Sequence, residues 1–259
     1  HYIQQWGIAA SLRDPLLLAA LLPTDSVELA NEKINTVAKY IDIFCVRRSI
    51  NFRAFGATSI RYTMYSLVKE LRNQPLDELK AILQGKLEAM DETWDKFQYF
   101  RLHGQNKRFV KYLLSRISGY VDQLAGQSSN FTNYYHKGEG KPYEVEHLWS
   151  NHFDAFKVEF EQQNDFEEYR NRLGGLVLLP SGTNQSYGGK PYSEKKQHYI
   201  KENLLVKSLC PLAYENNPNF KKLITEHGLS FKAHDAFKTR DLEERQALYQ
   251  AISEKIWLL

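Results

Sequence analysis

The chain has 259 residues, 42% of them apolar, and its 34 Lys and Arg against 31 Asp and Glu leave a net charge of +3. That is enough apolar material for one large globular domain or two modest ones, and the longest apolar stretch, Leu16 to Leu22, is far short of the roughly 20 residues a membrane span requires. Two cysteines, Cys45 and Cys210, exclude a disulfide framework and a four-cysteine zinc site and fit a reducing cytoplasm, while the slight basic excess permits nucleic-acid binding without arguing for it.

His1 opens the chain with neither a methionine nor a charged leader, so the sequence reads as a piece of something longer. From Asp14 to about Ala125 the pattern is helical. Asp14 before Pro15 places a capping side chain ahead of a proline at the first helical position. Asp25 with Glu28 spells a capping box in front of Val27, Ile34, Val37, Ile41 and Phe44, a stripe at helical spacing. Ile60, Met64, Leu67 and Leu71 form a second stripe; Pro75 opens a third through Leu79, Leu83 and Leu87. Phe109, Leu113, Ile117, Tyr120 and Leu124 give a fourth, so residues 1–135 are expected to form a helical bundle or array. Arg101, Lys107, Arg108 and Lys111 concentrate charge there, either as a nucleic-acid contact or as a solvated helix face.

The character changes after Gly126, where polar, glycine-bearing residues lead through 137–141, and residues 136–259 are expected to form a second, α+β domain. Its predicted elements are an extended piece from Tyr143 to His147, a helical stretch near Asp165 to Arg172 and a short strand from Leu176 to Leu179. A turn-rich loop, Pro180 to Pro191, comes next, followed by a lysine-rich helix from about Ser193 and a closing helix from Asp241 to Trp257. Asp241 and Glu244 there spell a capping box. No internal repeat of fixed period is present. The fold class expected is mainly α with a small α+β part.

Glu146 and His147 end the first predicted strand, and Asn184 follows 37 positions after the histidine, in the loop beyond the second strand. That is the layout of a strand-loop-strand-helix metal finger. A nuclease of that design needs a neutral imidazole to take a proton from water, a hard cation to stabilise charge on phosphate oxygens, and oxygen ligands for the cation. His147 supplies the first, and Glu146 and Asn184 supply oxygen donors suited to Mg²⁺, with Mn²⁺ as the alternative. Zinc fits less well, because His147 and His152 lie five apart and no thiol is near.

Glu146 and His147, then Arg172 and Leu173 to Pro180, Asn184, Ser186, Tyr192, Lys195, Tyr199, Asn203 and Leu204 form an ordered set over roughly residues 142 to 210. This set resembles the C-terminal His-Me finger (HNH-like) nuclease region of the GmrSD-type modification-dependent restriction endonucleases, among them phosphorothioate-sensing defence nucleases. Arg108 to Tyr120 resembles the helical linker of such proteins. The resemblance implies a helical bundle followed by a ββα-metal core with flanking helices. It further implies His147 as general base, Glu146 and Asn184 at the metal, and Lys195 facing a phosphate or bracing the finger. Two positions depart from many relatives: Gly175 stands where they carry asparagine, and Trp149 where they carry proline.

The family's N-terminal NTP-hydrolysing sensor has no counterpart here, and no phosphate-binding glycine loop is present. The expectation is therefore a Mg²⁺-dependent DNA endonuclease of a bacterial anti-phage system, detached from its sensor, with a homodimer required for double-strand cleavage. The class-different alternative is a non-catalytic helical DNA-binding or adaptor module that retains a decayed finger. At single residues the bland readings are a solvated Lys195, a structural His152, and burial of at least two of Tyr134, Tyr135 and Trp149 rather than a base-stacking surface.

Overall fold

The computed structural model describes residues 2–136, 141–187, 189–215 and 217–259, without the side chains of Asn184 and Gln185. Residues 137–140 of the glycine-bearing connection and Gly188 of the predicted loop fall outside it. The described chain is mainly helical with one two-stranded antiparallel sheet, the fold class that the helical stripes and the two short extended segments lead one to expect. No described helix is long and apolar enough to cross a membrane. Two compact units are formed, one from residues 1–96 with 257–259 and one from 97–256.

The first unit contains α1 (Ala10–Leu18), α2 (Val27–Ile50), α3 (Ala57–Leu71) and α4 (Leu76–Glu88). Most of the predicted stripes form its core: Val37, Ile41 and Phe44 from α2, Ile60, Met64, Leu67 and Leu71 from α3, and Leu79, Leu83 and Leu87 from α4 are all buried, whereas Val27 at the start of α2 is exposed and Ile34 only partly buried. Two start signals are displaced. Asp14 and Pro15 lie inside α1, which begins at Ala10 with the amides of Leu12 and Arg13 bonded to the Ala9 carbonyl; the burial of Leu12 and Leu16 holds the proline within the helix. Ser26, not Asp25, caps α2, accepting from the Leu29 amide at 3.2 Å. Asp25 instead pairs with the buried Lys33 at 2.9 Å, and its hydrogen bonds with the Leu22 amide and Lys33 hold its carboxyl below the usual range.

The second unit runs through α5 (Lys107–Leu124), α6 (Phe131–Tyr135), β1 (Tyr143–His147), α7 (Gln163–Arg170) and β2 (Leu176–Pro180). It continues with α8 (Ser181–Tyr187), α9 (Tyr192–Tyr199), α10 (Leu204–Lys207), α11 (Pro218–His227) and α12 (Thr239–Ile256). Helix α5 packs on both strands and on α6, α10 and α12. Strands β1 and β2 pair with Glu146 opposite Val177 and His147 opposite Leu176. The predicted loop after β2 is in fact helical over Ser181–Tyr187, although Ser, Gly, Thr and Asn are poor helix formers. Tertiary contact overrides propensity: α8 packs on both strands, the Ser181 amide bonds the Pro142 carbonyl, and Tyr187 is buried. The box at α12 is shifted as well. The helix starts at Thr239, so Asp241 sits in the first turn and reaches back to the Lys238 amide at 2.9 Å, while Glu244 pairs with Lys232 and Arg240.

Trp149 and Phe166 stack at 6.0 Å within an aromatic core joined by Phe160, Tyr192, Tyr199 and Phe237. Trp149 and Tyr134 are both buried, so neither offers a base-stacking surface. The turn before β2 is pressed onto α12: a Cβ on Gly174 would lie 2.5 Å from both the Gln246 nitrogen and the Leu242 carbonyl oxygen. Both are backbone atoms and cannot rotate aside. Gly174→Ala is expected to cost about 1–3 kcal/mol through overpacking, read as a lower urea midpoint at unchanged m-value; a wild-type midpoint would show that α12 can withdraw freely.

Candidate functional site

Side chains alternate along a strand, so Glu146 and His147 leave β1 on opposite faces of the sheet. Glu146 is 7% exposed and faces Lys195 of α9, which is 0% exposed. The Lys195 Nζ donates to Glu146 Oε1 at 2.5 Å and to the His147 carbonyl at 2.8 Å. Lys195 therefore solvates no helix face. Burial pushes the Glu146 carboxyl up and the Lys195 ammonium down, and each charge is favoured chiefly by the other. Tyr199, also from α9, is fully buried, and its hydroxyl has no hydrogen-bond partner among the described residues. Burial, and after it the nearby Glu146 charge, drives the Tyr199 phenol above its ordinary range.

His147 is partly exposed at the end of β1. Its Nε2 lies 2.9 Å from Oδ1 of Asn171, the C-cap that follows α7. The Asn171 Nδ2 donates to the Glu167 carbonyl at 2.8 Å, and its own carbonyl accepts from the Leu102 amide at 2.7 Å. Arg170, the last residue of α7, donates from Nε to the carbonyls of Trp149 at 3.2 Å and Ser150 at 3.3 Å. Burial first, and then the Arg170 charge, lowers the His147 imidazole to about 4. The ring is thus neutral at working pH.

A pH dependence follows from that shift. The unfolded chain binds a proton at His147 near pH 6.5 and the folded chain only near 4, so acid favours the unfolded state between those values. Stability is expected to fall as pH drops from 6.5 towards 4, and His147→Gln should flatten that part of the curve. Chemical denaturation of both proteins across this range checks it; identical pH slopes would contradict it.

The other predicted residues are placed as follows. Asn184 lies in α8, on the helix that packs against both strands, with its side chain outside the description. Asn203 donates to the Leu178 carbonyl at 2.8 Å and caps α10 through the Val206 amide, tying β2 to the helices behind it. Arg172 stacks over the Tyr169 ring at 3.7 Å and lies 3.9 Å from Glu168 and 4.0 Å from Glu243. His152 and His198 are exposed, His198 stacking on Tyr187. Arg170 and Asn171 were not singled out from sequence; their signal is adjacency to Arg172 at the end of a predicted helix, which places them without saying what they touch.

Among the described residues no group of three or more His, Cys, Asp or Glu is placed to hold a metal ion. A closed zinc or calcium cage drawn from those residues is therefore not built here.

The model of the family described as GmrSD restriction endonucleases, C-terminal domain, matches residues 87–248, more than half of the chain. Neither the comparison with curated proteins nor that with solved structures finds a match.

Proposed function

The chain belongs to the GmrSD restriction endonuclease C-terminal family, and from that premise we propose that it is a metal-dependent DNA endonuclease whose β1, β2 and α8 form a ββα-metal finger. The observation that carries the reading is the partly exposed imidazole of His147 at the end of β1, adjacent in sequence to the buried carboxylate of Glu146, with burial and Arg170 favouring its neutral form. His147 takes a proton from water as the water oxygen forms its bond to phosphorus. The bond from phosphorus to the 3′ oxygen breaks on the opposite side, and that oxygen is protonated from solvent.

Glu146, through the oxygen that Lys195 does not take, and Asn184 would hold a divalent cation of the Mg²⁺ or Mn²⁺ class. Such a cation supplies charge stabilisation at the phosphate and the leaving oxygen. Lys195 braces Glu146 and the end of β1 in this reading rather than meeting substrate. One finger holds one site, so a single copy nicks and a double-strand break needs two copies. The signal that licenses cutting, in a bacterial defence against phage, belongs to an N-terminal NTP-hydrolysing sensor outside this sequence.

Two observations favour a second reading, a non-catalytic helical DNA-binding module: Glu146 leaves β1 on the face opposite His147, and it already has a cationic partner in Lys195. Supercoiled plasmid decides between them. The endonuclease converts it to open circles in Mg²⁺ or Mn²⁺, EDTA stops the conversion, and Asn184→Ala raises the metal concentration needed. No conversion in either metal, with EDTA making no difference, favours the module; preferential cleavage of structured RNA in a parallel arm would reassign the substrate.

A further inference from the structure

We infer that Asn171 is a positioning residue that fixes the tautomer of His147, placing the ring proton on Nε2 and leaving Nδ1 as the atom that accepts the proton from water. The inference rests on the reading of His147 as a base, but its structural part stands on hydrogen-bond directions alone. A carbonyl oxygen only accepts, so the 2.8 Å contact from Asn171 to the Glu167 carbonyl must involve the amide nitrogen. The Asn171 oxygen is thereby turned towards His147, and at 2.9 Å it can only accept from a protonated Nε2. In a neutral imidazole the remaining nitrogen, Nδ1, then carries the lone pair. His147 Nδ1 has no hydrogen bond to a described residue and is not among the buried polar atoms sealed from solvent without a partner, so water can reach it.

Asn171 is itself held by three hydrogen bonds, two of them to one carbonyl. Its backbone amide bonds the Glu167 carbonyl at 3.1 Å, its side chain bonds that same carbonyl, and its carbonyl takes the Leu102 amide. The end of α7 thus acts as a rigid acceptor aimed at the end of β1. The charged groups around the imidazole are Arg170 on α7, Lys195 on α9 and Glu146 on β1; the two cations act against protonation of the ring. None of the three can accept from Nε2 in place of Asn171, because two are donors only and Glu146 leaves the opposite face of the strand.

The experiment reads the ring directly. Two-bond proton–nitrogen correlation spectra of ¹⁵N-labelled protein at pH 7 report the His147 tautomer without any need for turnover. Wild type is expected to show a single Nε2–H form, Asn171→Ala a mixture of tautomers, and Asn171→Asp, which retains an acceptor, the Nε2–H form again. Plasmid nicking is expected to fall on the order of 10²-fold in Asn171→Ala and to recover in Asn171→Asp. An Nδ1–H form in wild type overturns the inference, even if Asn171→Ala fails to fold. So does an unchanged tautomer in Asn171→Ala, whatever its nicking. A mixed tautomer with nicking intact leaves the positioning role standing and overturns the assignment of His147 as the base.

Discussion

His147→Ala is expected to abolish plasmid nicking while leaving DNA affinity unchanged. A positioned general base contributes about 10² to 10⁴-fold to such a reaction. His152 and His198 are exposed side chains, the latter stacked on Tyr187. Binding should survive because affinity for DNA comes mainly from cations meeting phosphates, and a neutral imidazole contributes none of that charge. Gel-based nicking and fluorescence anisotropy on the same preparation separate the two effects. Nicking at the wild-type rate would remove His147 from the reaction, and a matched loss of binding would make it a substrate contact instead.

Lys195→Met is expected to destabilise the second unit by about 3–5 kcal/mol, the usual consequence of leaving one member of a buried ion pair alone. Methionine keeps much of the side-chain volume, so the effect isolates the lost charge. Burial already raises the Glu146 carboxyl, and without the ammonium at 2.5 Å it is held back only by Arg170 and backbone, so it should take up a proton more readily. The defect should therefore shrink as pH falls, since a neutral Glu146 no longer needs a partner. Adding Glu146→Gln to Lys195→Met should recover part of the loss at pH 7. Urea midpoints of the two variants at pH 7 and pH 5 make the comparison. A Lys195→Met protein with wild-type stability but weakened DNA binding would return Lys195 to the phosphate-facing role.

Much of the site could be read along the chain because its parts are local in sequence. Glu146 and His147 are adjacent, and alternation around them marks a strand whatever it pairs with. Leu176 to Leu179 is a short apolar run that a sheet buries on both faces, and Leu176, Val177, Leu178 and Leu179 are indeed buried. The segment after Pro180 was legible only as turn chemistry, because Ser181, Gly182, Thr183 and Asn184 carry no helical preference of their own. Its helix exists through packing on β1 and β2. Asp14 with Pro15, Asp25 and Asp241 misled for a related reason: a capping side chain is recognised by what it bonds, and Asp25 bonds a lysine eight residues on.

Spacing along the chain sets the helical stripes of the first part, the two strands, the order in which Glu146, His147, Asn184 and Lys195 follow one another, and the family match. Those are properties of spacing, and spacing is written in the chain. Only the tertiary structure decided that Lys195 spends its charge on Glu146 and that α5 packs against the sheet. It alone aimed the amide of Asn171 at the imidazole of His147. The two polar contacts join groups 24 and 49 positions apart, and no local pattern records which distant partner a buried polar group will find.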